Sequence, residues 1–300
     1  MSSTPTDEAV GKPPGKGWLT SVLWTVRLLA FFVVMLAGDV VAQYGRMWVA
    51  RQAPAGSADW MLIGACLVLA ALLVGLYVVI VRWTEQRLAR ELAPGAGYAA
   101  AGTVFGLALF STVFGLLYLI GVVRWQGVSA HSDVGPALAA SIIAAVGEEL
   151  AFRGVLFRMV TERFGTATAL VVSAVVFGLL HGLNPGATIV STAAIAIEAG
   201  LLLGAAYALT RNLWFPIGLH LGWNFTEGGI FGTSVSGSTD GHGIFSVSLA
   251  GPRLLTGSAF GPEASLVAIA VGLAAAVVLI VLAVRRGSWI SMESARTSAR

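Results

Sequence analysis

Glu148 and Glu149 stand side by side in an apolar stretch, and Arg153 follows one helical turn later. Each charge placed at bilayer depth costs about 2.5–3.5 kcal/mol on insertion scales, so ionisable groups there are expected to do work. On a helix, Glu149 and Arg153 are four residues apart and share a face, which suits an intrahelical ion pair. Glu148 points about 100° away, free to face a cavity. A structural pair needs one acid per base, and here a second acid is left over. Ala144, Ala145, Gly147 and Ala151 keep the surroundings small, so neighbouring helices can approach. Two later apolar stretches add His181, four residues after Phe177, and the stripe His220, Asn224 and Glu227 at i, i+4 and i+7. Acid, base and amide groups from three helices thus converge on one interior, a set suited to moving protons and to holding a polar group away from water.

The elements that position them are membrane helices. The chain has 300 residues, 57% of them hydrophobic and 11% charged, against about a quarter charged in soluble domains. The expected class is all-α: a polytopic membrane helix bundle of about eight transmembrane helices. A span needs about 20 apolar residues. Eight runs answer to that, at 19–42, 60–82, 99–123, 135–157, 166–183, 187–209, 212–232 and 263–284; the fifth is short, and Pro216 interrupts the seventh. The expected division is a disordered cytoplasmic tail over 1–18, helices one to three over 19–134, a catalytic core over 135–232, an extracytoplasmic Gly/Ser-rich loop over 233–262, and the last helix with a cytoplasmic tail over 263–300. The net charge of +3 is small and its basic residues are scattered, so nucleic acid is not an expected partner. Cys66 is a lone cysteine in an apolar run and reads as a small core residue. Lys and Arg gather in the N-terminal tail, the even-numbered loops and the C-terminal tail, which places both termini in the cytoplasm and the 233–262 loop outside.

Three motifs in order, Glu148-Glu149-x-x-x-Arg153, Phe177-x-x-x-His181 and His220-x-x-x-Asn224, resemble those of the CAAX-protease and bacteriocin-processing family, also called Abi. These are intramembrane endopeptidases and include the Ras-converting endopeptidase. The resemblance is strong over 135–232. It implies a peptide or protein substrate at the membrane and roles for six residues. Glu148 is the general base, with His181 helping to hold the water. His220 and Asn224 donate to the oxyanion, and Glu149 and Arg153 orient the site. A carboxylate in a low-dielectric cavity suits a base working near neutral pH. A metal-free mechanism with no cofactor is the favoured expectation. The alternative is a zinc-dependent metalloprotease with Glu149, His181 and His220 as ligands, although no His-Glu-x-x-His is present. Two other classes remain: a non-enzymatic scaffold or immunity protein of the same fold, and a proton relay through Glu148, Glu149 and Glu198. No inverted repeat supports the relay.

Depth poses one difficulty. At 1.5 Å per residue, Glu148 lies about 15 Å from Arg158, Asn224 about 20 Å from Arg211, and His181 about 27 Å from Arg163. A tilted or late-starting fifth helix would bring His181 level. Arg27 and Asp39 read as end-of-span groups, Glu198 has no assigned partner, and His131 and His242 read as solvated loop residues.

Overall fold

The computed structural model describes residues 17–52, 58–238 and 242–298. The expected N-terminal tail up to residue 16 and Asp240 of the 233–262 loop lie outside these. The chain forms helices α1 (Gly17–Gln52), α2 (Ala58–Ile80), α3 (Ala96–Leu119), α4 (Val134–Glu149), α5 (Arg158–His181), α6 (Ile189–Ile195), α7 (Leu201–Thr210), α8 (Trp214–Asn224), α9 (Arg253–Thr256), α10 (Leu266–Arg285) and α11 (Met292–Ser298). The strands are β1 (Val123–Val128) and β2 (Phe245–Leu249). Single π-helical segments prolong α2, α4, α6 and α8, at Val81–Glu85, Leu150–Phe157, Ala196–Gly200 and Phe225–Ile230.

Among the described residues, six helical runs are long and apolar enough to cross a membrane: Ser21–Gln52, Asp59–Glu85, Ala96–Leu119, Val134–His181, Ile189–Thr210 and Leu266–Arg285. The sequence leads to about eight. The difference has two sources. Expected spans four and five are joined in one 48-residue run, bent where Gly165 adopts φ 81° and ψ 167°. Expected span seven is α8 and its π segment, 11 and 6 residues, which fall short of a full span.

That bend removes the depth difficulty. The fourth helix does not stop near Phe157 but continues to the glycine. Glu148 precedes Gly165 by 17 residues and His181 follows it by 16, so at 1.5 Å per residue both stand about 25 Å from the bend. A left-handed φ is open to glycine at little cost. The C-terminal segment seals the corner: the Thr166 amide donates to the Ile290 carbonyl at 2.9 Å, and Arg211 donates to Ser288 O at 2.7 Å.

At the same end of the bundle, Arg158 is a buried hub rather than a loop cation. It pairs with Glu85 at 2.6 Å and Glu162 at 2.8 Å and donates to Gly154 O. Beside it, Arg87 binds Glu85 and Glu91, and the Tyr77 hydroxyl bonds both Glu91 and Gly154 O. Burial pushes the Glu91 carboxyl up, but the hydrogen bonds from Arg87 and Tyr77 outweigh it and hold the group below the usual carboxylate range. At the opposite end, β1 and β2 pair antiparallel, with a bulge between Trp125 and Gly127. The 233–262 segment is therefore tied to the chain after α3.

The tightest helix contact joins α3 to α8. A Cβ added at Gly102 or Gly106 would lie 2.2 and 2.1 Å from the carbonyls of Phe215 and Leu219. One added at Gly218 or Gly222 would lie 2.2 and 2.3 Å from those of Ala99 and Thr103. Two Gly-x-x-x-Gly faces thus meet backbone to backbone, the close approach that small residues permit in membranes. Because Gly218 and Gly222 face α3, His220 and Asn224 face away from it.

Candidate active site

Glu149 and Arg153 are both fully buried, and Arg153 Nη1 donates to Glu149 Oε1 at 2.7 Å. The same oxygen accepts from His220 Nδ1 at 3.1 Å. The second arm of Arg153 reaches Gly200 O at 3.2 Å and Ala199 O at 3.4 Å. Those carbonyls belong to the π segment after α6, where the ordinary i→i−4 ladder is interrupted and oxygens are left to accept. Phe177 lies beneath the guanidinium at 4.8 Å. Its ring also touches His181 at 4.4 Å and turns edge-on to His220 at 6.3 Å. One aromatic ring thus spaces the arginine and both imidazoles.

Glu148 is the odd one out. It opens onto a cavity of about 360 Å³ lined also by His181, His220, Asn224, Ala140, Ser141 and Ala144. His181 Nε2 stands 3.8 Å from Glu148 Oε2, too far for a direct hydrogen bond. His181 Nδ1 lies 2.9 Å from Phe177 O. A carbonyl only accepts, so Nδ1 carries a proton and Nε2 is the ring nitrogen turned toward Glu148. Thr233, Val235, Ser236 and Ser238 line the rim, so the 233–262 segment edges the cavity.

All six residues singled out in the sequence therefore meet here: Glu149, Arg153 and His220 as a bonded cluster, Glu148, His181 and Asn224 on the cavity wall. Compared with known proteins, residues 130–226 match the family described as type II CAAX prenyl endopeptidase, Rce1-like. The matched stretch is about a third of the chain and contains all three motifs. No curated protein and no solved structure matches it. The match supports a membrane enzyme of the CAAX-type endopeptidase class.

Zinc does not fit the residues once assigned to it. Among the described residues, no three His, Cys, Asp or Glu side chains come together to hold a metal ion. Glu149 Oε1 already accepts from a guanidinium and an imidazole, and the fixed positive charge at 2.7 Å opposes a cation there.

Several cavity residues of the endopeptidase escaped the sequence reading. Asp39, expected at a span end, lines the cavity with Gln43 and Arg46, because α1 runs ten residues past the expected limit of 42. Their i, i+4, i+7 spacing was a usable signal. Arg27 lies ten residues into α1 and donates to Thr84 O, near the end of the α2 run, at 3.5 Å. Behind the histidines lies a second, small hole in which Glu198, Glu263, Asn224 and both imidazoles meet mainly apolar side chains. Glu198 is buried with neither oxygen partnered, and Glu227 accepts from the Glu263 amide at 3.2 Å. His242 stays exposed in its loop, 3.4 Å from Asp133. Cys66 is buried.

Proposed function

We propose that this protein hydrolyses a peptide bond inside the membrane with a water activated by Glu148. The observation that carries this is the division of labour between the adjacent glutamates: Glu149 is tied to Arg153 and His220, while Glu148 faces His181 across an open cavity. A water between them donates one hydrogen to the Glu148 carboxylate and one to His181 Nε2, leaving its lone pairs for the scissile carbonyl. Glu148 takes the proton as the oxygen attacks.

The oxyanion needs donors. Asn224 supplies an amide N–H whatever its surroundings. His220 already spends Nδ1–H on Glu149, so it donates from Nε2 only as the imidazolium. The Glu149 carboxylate supports that second proton, and Arg153 holds that carboxylate in place. Glu149 and Arg153 are thus positioning residues. Ser21 near the start of α1 bonds Arg163, and Ile290 just before α11 bonds Thr166, so both described ends lie at the Arg158 and Arg163 end, which supports a cytoplasmic assignment. The cavity rim at 233–238 then faces the other side of the membrane. The family resemblance supports a lipid-modified C-terminal segment as the substrate class.

The test is a comparison of membrane-associated peptides from cells carrying the wild-type protein and Glu148→Gln. The variant keeps the shape and loses the base, and general-base removal costs roughly 10²–10⁴-fold. Peptides cleaved only by the wild type are expected. Equal processing by Glu148→Gln overturns the assignment.

A further inference from the structure

The cavity holds a second carboxylate that the three motifs do not contain. Asp39 reaches it from α1, packed against the α4 backbone that carries Glu148. Its seat is built by a glycine: a Cβ on Gly147 would fall 2.0 Å from Asp39 Oδ1, so any larger residue there would displace the carboxyl. Oδ1 is buried without a hydrogen-bond partner, and no Lys, Arg or His lies within ion-pair distance among the described residues. The charged groups it feels across the cavity are Glu148 on α4 and His220 on α8. Arg46, on its own helix two turns further out, leaves its Nε unpaired too.

We propose that Asp39 is the second catalytic carboxylate, the acid that protonates the leaving amine. The inference rests on Glu148 being the base. Two carboxylates facing one low-dielectric cavity are most cheaply kept with one proton between them, and unequal surroundings decide which holds it. Each keeps one buried oxygen without a partner, but Glu148 has the His181 imidazole 3.8 Å away and Asp39 has no such neighbour among the described residues, so the proton belongs on Asp39.

The reaction then balances. The water oxygen bonds to the carbonyl carbon while its proton passes to Glu148, and the carbonyl π pair moves to the oxyanion. On collapse the C–N bond breaks, its electron pair stays on nitrogen, and Asp39 gives nitrogen its proton. Proton return from Glu148 to Asp39 through solvent restores the starting state, with one water consumed per bond cut.

The test separates acid from base through the leaving group. The probes are the peptide whose processing distinguishes wild type from Glu148→Gln and the p-nitrophenyl ester of its acyl half. Nitrophenoxide leaves without a proton; an amine does not. Asp39→Asn is expected to lose about 10²–10⁴-fold on the peptide while hydrolysing the ester within tenfold of wild type. Ester turnover also certifies that the variant is folded. Glu148→Gln is expected to lose both activities. Wild-type peptide cleavage by Asp39→Asn, or equal loss on both substrates, overturns the role of Asp39 while leaving that of Glu148 standing. Peptide cleavage by Glu148→Gln removes the base reading instead.

Discussion

Replacing Arg153 by methionine tests the buried cluster most directly. Three contributions are lost. The largest is the ion pair with Glu149: both groups are fully buried, and removing one partner of such a pair costs about 3–5 kcal/mol, because the other charge is stranded. The bonds to Ala199 O and Gly200 O are long, and polar contacts between membrane helices average roughly 0.6 kcal/mol, so the two together are worth about 1 kcal/mol. The contact over Phe177 at 4.8 Å adds up to about 2 kcal/mol when desolvated. Two effects limit the total: His220 still donates to Glu149, and Glu149 can take up a proton. A net loss of about 3–5 kcal/mol is expected, or on the order of 10 °C in melting temperature for a chain of this size. The assay is thermal unfolding in detergent of wild type, Arg153→Met, Glu149→Gln and the double variant. Since each single change strands a charge and the double does not, the double should be about 2 kcal/mol or more better than the sum of the singles. An Arg153→Met protein that melts with the wild type, or strictly additive losses, would refute the ion-pair argument.

Other outcomes follow from the same geometry. Phenanthroline should leave peptide cleavage unchanged, and one tightly held zinc per chain, lost in His181→Ala, would restore the metalloprotease reading. Gly222→Ala should destabilise by about 1–3 kcal/mol or more through overpacking, since its Cβ meets the backbone of Thr103 and Leu107. Gly115→Ala, which meets no atom within 4 Å, should melt like the wild type; equal behaviour of the two would sink the backbone-contact argument. On a Cys66→Ala background, an impermeant thiol reagent applied to intact cells should label Ser132→Cys and spare Glu293→Cys, and the reverse pattern would invert the topology.

The sequence made the chemistry more legible than the architecture. Motif residues betray themselves because a charge or imidazole in an apolar run has no ordinary reason to be there, and helical spacing alone separates Glu149 from Glu148. The bend at Gly165 was hidden because Arg158, Glu162 and Arg163 look like a solvated loop, whereas Arg158 is neutralised by carboxylates from the distant Glu85 and from Glu162. Asp39 was hidden for a related reason: the expected span end at 42 was set by apolar composition, and the Asp39, Gln43 and Arg46 stripe straddles it. Glu227 stood on the stripe with His220, but its meeting with Glu263 is a tertiary event that spacing cannot report.

The glycine seam between α3 and α8 bears on how a substrate enters. His220 and Asn224 are borne by a helix whose far side rests on another backbone, without compressible side chains between them. Those two helices can neither slide nor part without losing contact along several turns, so they act as one stiff plank. The wall opposite is a single long helix, α1, that meets α4 at the Gly147 notch. A chain entering sideways past α1 would displace that helix, and Asp39 with it. In such a design the gate and the acid are the same piece, and the enzyme would be chemically incomplete whenever its door stands open.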